Sequence, residues 1–272
     1  MQDLKIALIQ SKLHWEDIDA NLNMFGEKIK AIAERIDIIV LPEMFSTGFS
    51  MNPSKLYETM DGKAVNWMKT NASQANAVIT GSLIIEENGH YYNRLIWMRP
   101  DGSFEYYNKR HLFSMAGEEK VFSPGDKKLI VTVNGWKICP MVCYDLRFPV
   151  WIRNVENYDV LLFVANWPDK RIEHWRKLLQ ARAIENQCFV VGVNCVGKDG
   201  NDIDYSGRTM WVNSQGEIQD EIINEEKTII ATLNEDSLNF TRRYMPFLND
   251  KDEFEIKESG VSNQESGEGI KS

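Results

Sequence analysis

Residues 139–149, CPMVCYDLRFP, decide the fold prediction, because an apolar run stops there at a reactive side chain. The apolar residues up to Val142 predict a strand, and the polar residues after Cys143 predict the start of a helix. At such a turn a thiol lies near backbone N–H groups that lack a partner within the helix. These groups lower a thiol pKa and stabilise an oxyanion. Cys143 is therefore a candidate nucleophile, with a buried structural cysteine as the alternative interpretation.

Strands and helices alternate on both sides of this stretch. Apolar runs and alternating patterns predict strands at 4–10, 36–41, 77–85, 91–98, 103–107, 129–133, 136–142, 159–165, 189–195, 209–212 and 228–233. Apolar residues at helical spacing predict helices at 21–35, 65–75, 150–155 and 172–185. This order predicts an α/β fold with mixed sheets and helices on their outer faces.

Two more chemically useful side chains directly follow predicted strands. Glu43 lies in LPEMF at 41–45, and Lys109 lies in NKRHLF at 108–113. Each of them alone also fits a solvated loop. Ligands gather at the carboxyl ends of strands in open α/β sheets, so these three strand ends are the candidate places for chemistry. Cleaving a carbon–nitrogen bond needs a nucleophile, a proton shuttle and an oxyanion stabiliser, which a thiol, a carboxylate and an ammonium group supply.

A second arrangement pairs Cys143 with a histidine base, as in papain-like proteases. The chain has four histidines, none of which stands in a papain-like signature: His14, His90, His111 and His174. The carboxylate and the ammonium group are therefore favoured over a histidine as partners of the thiol.

Composition excludes several classes of protein. The 272 residues are 43% hydrophobic and 26% charged, as in ordinary globular proteins, and the net charge of −9 argues against nucleic-acid or anionic-membrane partners. No apolar run is long enough to span a membrane, and no secretion signal opens the chain. Four cysteines are too few for a disulfide scaffold and lack the spacing of a zinc site. We therefore expect a cytoplasmic protein without a metal.

The chain divides into one large domain and a tail. Residues 1–248 carry all the predicted strands and helices, whereas residues 249–272 contain seven acidic and three basic residues and few apolar ones. We predict a single catalytic domain over 1–248 and an acidic, partly disordered tail over 249–272, with residues 257–272 the most polar part.

The three strand-end motifs together resemble the nitrilase superfamily of carbon–nitrogen hydrolases, over roughly residues 4–248. The resemblance implies a Glu-Lys-Cys triad of Glu43, Lys109 and Cys143, with the backbone N–H of Tyr144 in the oxyanion hole. It also implies a four-layer αββα sandwich of the nitrilase type, no metal, no organic cofactor and a homodimer.

Many members of this superfamily carry a further glutamate in the loop after the lysine. The stretch GEEKVFSPG at 117–125 matches that loop. Its spacing from Phe122 assigns the role to Glu118, with Glu119 as the alternative.

Two other stretches resemble the omega-amidase branch of the superfamily: VANWP at 164–168 and ARAIENQ at 181–187. That branch hydrolyses the distal amide of 2-oxo acids such as 2-oxoglutaramate, through a Cys thioester. Substrate contacts are expected from Trp167, Phe113 and Arg147, the last as partner of the substrate carboxylate. Arg171 and Lys170 are alternatives for that cation, and an ion pair with Asp145 is the alternative role of Arg147.

Other functions stay open on the sequence alone. A nitrilase or an N-carbamoyl amidohydrolase would use the same three residue types. A non-catalytic nitrilase-like scaffold is the remaining alternative, although the chain keeps all three. The small-molecule amide is thus the expected partner, and its identity is the main open question.

Overall fold

A computed structural model describes residues 2–256 of the chain. Its strands are β1 Leu4–Gln10, β2 Ile38–Val40, β3 Val78–Glu87, β4 His90–Met98, β5 Phe104–Asn108, β6 Val131–Val133, β7 Trp136–Val142, β8 Val160–Ala165, β9 Phe189–Asn194, β10 Val196–Lys198, β11 Asp204–Val212, β12 Ile218–Ile223 and β13 Lys227–Leu233. Its α-helices are α1 Ile18–Lys30, α2 Pro53–Leu56, α3 Lys63–Ala75, α4 Ile172–Asn186 and α5 Glu235–Tyr244. The part of the predicted tail from residue 257 onward lies outside the described residues.

The strands form two mixed sheets. The first has the order β13-β1-β2-β3-β4-β5, with β1, β2 and β3 parallel to one another. The second has the order β10-β11-β9-β8-β7-β6, with β7, β8 and β9 parallel and β12 paired to β11. Parallel strands at the centre of both sheets place several carboxyl strand ends at one edge, where ligands usually bind.

The two sheets pack face to face between outer helices. Along β1, Leu4, Ile6 and Leu8 join the core shared with the second sheet, whereas Ala7 and Ile9 pack under α1 and α3. This alternation is the two-residue period of a strand that is buried on both faces. On the far side, α4 covers β9 and β11. The predicted four-layer αββα sandwich is confirmed.

Pro140 is tolerated within the second sheet because of its position in β7. Pro140 lies inside β7 and pairs with β8 on one side. The pairing with β6 on the other side extends only from Val131 to Val133 and ends opposite Ile138. A residue without a backbone N–H therefore removes no ladder bond from β6 at that position.

The prediction of a helix at 150–155 is wrong, because this segment is a series of turns. Asn154 explains the difference: its side chain bonds to the backbone N–H and carbonyl of Tyr158 and to the carbonyl of Asn186. Such local side-chain bonds compete with helix formation. The helix predicted at 21–35 lies instead at Ile18–Lys30, where the Asp17 side chain caps its N-terminus.

The sequence also left the short β10 and α2 unassigned, together with two longer elements, β12 and α5. β12 is mostly exposed and polar, with Ile222 as its buried residue, so its alternation is weak. Helix α5 buries only Leu238 and Thr241. Neither element has the apolar pattern that identifies a strand or a helix from sequence.

Candidate active site

Side chains from four strand ends meet at the edge where the parallel strands finish. Glu43 lies three residues after β2, Lys109 directly follows β5, Cys143 follows β7, and Asn166 follows β8. β2 and β5 belong to the first sheet, while β7 and β8 belong to the second. The site is therefore built across both sheets, which explains why its parts are far apart in the sequence.

The candidate nucleophile stands on a tight turn. Cys143 begins a short 3-10 helix that ends at Arg147, and its φ of +44° is in the left-handed region. Its side chain is 9% exposed. Non-glycine residues with positive φ are uncommon and often mark functional turns. The fold thus presents the thiol at a strand end, as the sequence pattern predicted.

The carboxylate of Asp145 holds this turn in place through hydrogen bonds. Its carboxylate accepts hydrogen bonds from the backbone N–H of Val142 at 3.1 Å and the hydroxyl of Tyr107 at 2.8 Å. It also accepts the backbone N–H of His111 at 3.0 Å and lies 2.8 Å from the Nδ1 of that histidine. These bonds tie the Cys143 turn to the loop that carries Lys109. Asp145 is thereby engaged away from Arg147, so the alternative of a structural ion pair between them is wrong.

Glu43 is completely buried beside the thiol. Its Oε1 accepts from Lys109 Nζ at 2.9 Å and from Asn93 Nδ2 at 2.8 Å. Its Oε2 accepts the backbone N–H of Asn166 at 2.8 Å. The same carboxylate lies close enough to the thiol of Cys143 for its charge to help raise the pKa of that thiol. Glu43 is therefore the group placed to exchange a proton with the thiol, in place of the histidine of the papain-like alternative.

Glu118 is the second buried carboxylate of the site. Its two oxygens lie 3.0 and 2.9 Å from Lys109 Nζ, and Oε1 also accepts from Asn93 Nδ2 at 3.1 Å. The backbone N–H of Phe113 donates to Oε2 at 2.6 Å. Glu119, the alternative from the sequence, is exposed. The structure thus brings Glu118 into the site and leaves its neighbour on the surface.

Burial and charge shift the pKa values of these groups. Burial, followed by the charge of Glu43, raises the pKa of the Cys143 thiol well above its usual value, although Lys109 opposes the shift. Burial alone would lower the pKa of Lys109, but the Glu118 and Glu43 carboxylates outweigh it and raise that pKa. Burial, with the charge of Glu43, also raises the pKa of Glu118. At neutral pH the resting site therefore holds a thiol and an ammonium ion.

A cavity of about 460 Å³ opens above Cys143. The three expected substrate contacts, Phe113, Arg147 and Trp167, line it together with Tyr144 and Arg171. Lys170, the third candidate cation, is exposed and is not among the lining residues that the structure describes. The rest of the wall mixes apolar and polar side chains, among them the aromatic rings of Trp15, Phe49 and Tyr205 and the carboxylate of Asp199.

Two guanidinium groups face this cavity. The Arg147 guanidinium lies 4.7 Å from the centre of the Trp167 ring, and its terminal nitrogen is 3.3 Å from His174 Nδ1. The Arg171 guanidinium lies 5.3 Å from the centre of the Phe113 ring. Burial and then the nearby charge of Arg171 act to lower the pKa of Arg147. Two mutually repelling cations in a partly buried cavity favour an anionic ligand.

Sequence reasoning missed two residues of the site, Asn93 and Asn166. Asn166 holds Glu43 twice, since its side-chain amide also donates to the Glu43 carbonyl at 2.6 Å. Asn93 contacts both carboxylates from the middle of β4. A polar amide inside an otherwise apolar strand is a usable signal, because asparagine is unfavourable there.

Between residues 2 and 256, no helix is long and apolar enough to cross a membrane. Within the same range, no group of three or more His, Cys, Asp or Glu side chains is arranged to hold a metal ion.

The chain matches the family model "Carbon-nitrogen hydrolase" over residues 5–243. It is 45% identical to omega-amidase YafV of Escherichia coli (strain K12), over 94% of this chain and 100% of that protein. It is 30% identical to 2-oxoglutaramate amidase of Bacillus subtilis (strain 168), over 90% of this chain and 96% of that protein. The crystal structure of XC1258 from Xanthomonas campestris, a CN-hydrolase superfamily protein, superposes with a TM-score of 0.92 at 41% identity, covering 94% of this chain and 100% of that one.

Proposed function

The chain belongs to the carbon–nitrogen hydrolase family, and we propose that it is an omega-amidase that hydrolyses the distal amide of a 2-oxo acid such as 2-oxoglutaramate. One observation carries this proposal: a buried cluster of Cys143, Glu43 and Lys109 lies below a cavity that two arginines face. The cluster supplies the groups for amide hydrolysis, and the arginines supply recognition of a carboxylate.

The first half of the reaction forms a thioester. Glu43 takes the thiol proton of Cys143 as the sulfur attacks the amide carbon, so the raised pKa of the thiol is overcome only when the substrate is in place. Lys109 Nζ and the backbone N–H of Tyr144 stabilise the oxyanion. Protonated Glu43 then gives its proton to the departing nitrogen. Ammonia leaves, and the acyl group stays on Cys143.

The second half reverses the roles of the same groups. Glu43, ionised again, takes a proton from a water molecule that attacks the thioester carbon. The tetrahedral intermediate collapses, the carbon–sulfur bond breaks, and Cys143 recovers a proton from Glu43. The products are the dicarboxylic 2-oxo acid and ammonia.

Glu118 is assigned to holding Lys109 rather than to activating water. Both oxygens already accept hydrogen bonds, from Lys109, Asn93 and the backbone of Phe113. Although burial raises the pKa of this carboxyl, each of its oxygens already accepts two hydrogen bonds and has no lone pair left for a water molecule. Its negative charge instead keeps the buried ammonium group protonated.

The cavity supports a substrate whose far end is anionic. Arg147 is held against Trp167 and lies beside His174, and Arg171 is held against Phe113. A planar guanidinium group binds a carboxylate through two parallel hydrogen bonds. A 2-oxo acid amide brings its amide to Cys143 and its carboxylate to this pair.

A substrate panel tests the reaction and its class. Ammonia release is measured with 2-oxoglutaramate, a neutral amide such as pentanamide, a nitrile and an N-carbamoyl amino acid. The expected result is a far higher kcat/KM for 2-oxoglutaramate than for any other compound. Preference for the nitrile or the carbamoyl compound would contradict the proposal, and absence of turnover on all four would support the non-catalytic scaffold.

Arg147→Met tests the carboxylate contact. Loss of such a contact costs about 2–5 kcal/mol, which lowers kcat/KM for 2-oxoglutaramate at least about thirtyfold. The value for pentanamide should change little, because that substrate has no carboxylate. Lys170→Met is the matched control, since Lys170 is exposed near the same loop but does not line the cavity. Equal losses on both substrates would contradict this role of Arg147.

We further propose that two copies pair through α5 in the cytoplasm, and that the catalytic domain spans residues 1–248. Phe240 and Tyr244, four residues apart on α5, are 60% and 73% exposed, and their rings stack 5.7 Å apart. Exposed aromatic pairs of this kind are frequent at interfaces between proteins. All four cysteines are free, which fits a reducing compartment.

A further inference from the structure

Asn93 is buried between the two carboxylates of the active site. Its side-chain nitrogen has two hydrogens, and it donates to Glu43 Oε1 at 2.8 Å and to Glu118 Oε1 at 3.1 Å. Only 1% of the residue is exposed. Each N–H of this amide is therefore committed to a different carboxylate.

The other half of the same amide is left without a partner. Asn93 Oδ1 is buried and accepts no hydrogen bond from any residue between 2 and 256. If the amide were flipped, its oxygen would face two carboxylates. That repulsion is worse than one missing hydrogen bond, so the two negative charges fix the orientation of the amide. An orphaned buried acceptor is costly, and such costs are usually retained where the group has a role.

The strand register places Asn93 beside Lys109. Asn93 lies inside β4, where it pairs with Ile84 of β3 and where asparagine is unfavourable. Its carbonyl accepts the backbone N–H of Lys109 at 2.9 Å, so the two side chains are cross-strand neighbours. The ammonium group and the amide thus bridge the same two carboxylates side by side.

We propose that Asn93 is a positioning residue that holds Glu43 and Glu118 at a fixed separation and keeps Glu43 aimed at the Cys143 thiol. This inference rests on the proposed amidase function and adds a requirement to it. Without the amide, Lys109 alone bridges two carboxylates that repel each other. Glu43 is then free to move away from the sulfur, and its carboxylate has lost one of the donors that stabilise its charge.

The groups that face this cluster are the ones already described, with two additions. Lys109, Glu43, Glu118 and Cys143 are its charged or titratable members. Cys195 and Tyr205 lie farther off, and the charge of Glu43 contributes to the raised pKa of each. Burial is the largest cause of the rise in both pKa values. Neither group therefore titrates near neutral pH.

The test compares pH profiles of kcat and KM for ammonia release from 2-oxoglutaramate. Asn93→Leu keeps the shape and removes both donors, and we expect kcat to fall at least about tenfold while KM stays within about twofold. The acidic limb should move upward by about one pH unit, because a carboxylate that loses a donor takes up a proton more easily. Asn93→Asp adds a third negative charge and should move the limb further.

Asn154→Leu is the matched control. Asn154 is an equally buried asparagine, bonded to Tyr158 and Asn186 near the start of β8, at the opposite end of that strand from the site. It should lower the melting temperature and leave the pH profile in place. If Asn93→Leu does not fold, Asn93→Asp decides the question alone.

Three results would overturn the inference: an unmoved acidic limb in Asn93→Leu or Asn93→Asp, a loss confined to KM, or the same shift in Asn154→Leu. Failure of the proposed function looks different, because the unaltered protein would then release no ammonia. Turnover by the unaltered protein with unmoved profiles in the variants removes only the role of Asn93.

Discussion

The two ends of strand β8 carry charge clusters that differ in burial and in balance: Arg242 at the amino end is partly exposed, whereas Lys109, Glu43 and Glu118 beyond the carboxyl end are fully buried. At its amino end Asp159 pairs with Arg242 at 2.7 Å, one anion with one cation. Beyond its carboxyl end, Glu43 and Glu118 share the single cation Lys109. The first cluster is neutral, whereas the second has one negative charge in excess when both carboxylates are ionised.

The two clusters also differ in how completely their polar groups are hydrogen-bonded. Arg242 donates to the carbonyls of Tyr158 and Gln187 as well as to Asp159, and the second oxygen of Asp159 accepts the N–H of Lys137. This cluster therefore fastens α5 to the second sheet. The catalytic cluster leaves an amide oxygen orphaned and keeps a thiol of raised pKa beside a carboxylate.

The comparison teaches how this fold divides stability from chemistry. Buried charges stabilise only when they are balanced and fully hydrogen-bonded. A surplus of negative charge costs stability but keeps a base available for a proton. Substitutions at the carboxyl end should therefore remove activity with little loss of stability, and substitutions at the amino end should do the reverse.

The largest effect is expected from Cys143→Ala. Loss of a covalent nucleophile should lower kcat by more than about 10⁴-fold, as ammonia release will show, while the melting temperature stays close to that of the unaltered protein. Cys195→Ala is the matched control, because Cys195 is at least as buried but does not line the cavity above Cys143. Residual activity above about 1% in Cys143→Ala would contradict the assignment.

Glu43→Gln should lower kcat about 10²- to 10⁴-fold, because an amide cannot take the thiol proton. Gln keeps an acceptor for Lys109 and Asn93, and it relieves the excess negative charge. The melting temperature should therefore shift by no more than about 3 °C.

Lys109→Arg is the companion variant for Glu43→Gln. It preserves the charge, but a planar guanidinium group cannot replace a compact ammonium group between two carboxylates. Its activity should also be lost. Near-normal rates in either variant, with unchanged circular dichroism, would exclude the Glu-Lys-Cys mechanism.

Arg242→Met tests the opposite end of the strand. Removing hydrogen bonds to a charged group and leaving Asp159 without its cation should cost about 2–3 kcal/mol of unfolding free energy. That corresponds to about 5–10 °C in melting temperature for a chain of this size. The kcat of the folded variant should stay within about twofold, because no group of the site contacts Arg242. A large loss of kcat at a temperature where the variant is folded would show that the two ends are coupled.

The three strand-end candidates could be predicted from local signals, whereas their assignment as a Glu-Lys-Cys triad came from the resemblance to the nitrilase superfamily. Each of Glu43, Lys109 and Cys143 follows a recognisable strand, and the chemistry of the three fits one reaction. The choice between Glu118 and Glu119 was different, since adjacent acids in a loop differ only in which one the tertiary structure buries.

The parts that the sequence missed depend on distant contacts. Asn93 interrupts a strand pattern, and its purpose is visible only when Glu43 and Glu118 arrive from other segments. Helix α5 buries almost no apolar side chain, and hydrogen bonds from Arg242 attach it to the sheet instead. Tertiary contacts of this kind override local propensity.

The smallest effect on chemistry is expected from substitutions at the proposed dimer surface on α5. Arg242 fastens α5 so that Phe240 and Tyr244 project from its outer surface. Replacing both by Ser should convert the proposed dimer to a monomer, measured by light scattering, because the variant loses the aromatic area that two copies bury against each other. The kcat per subunit on 2-oxoglutaramate should stay within about twofold, since neither side chain lines the substrate cavity.

The exposed Tyr57→Ser serves as the control, and it should leave the mass unchanged. A protein that is monomeric before substitution, or a variant that stays dimeric, would move the pairing surface away from α5. A dimer lost together with activity would instead show that the amino end supports the chemistry after all.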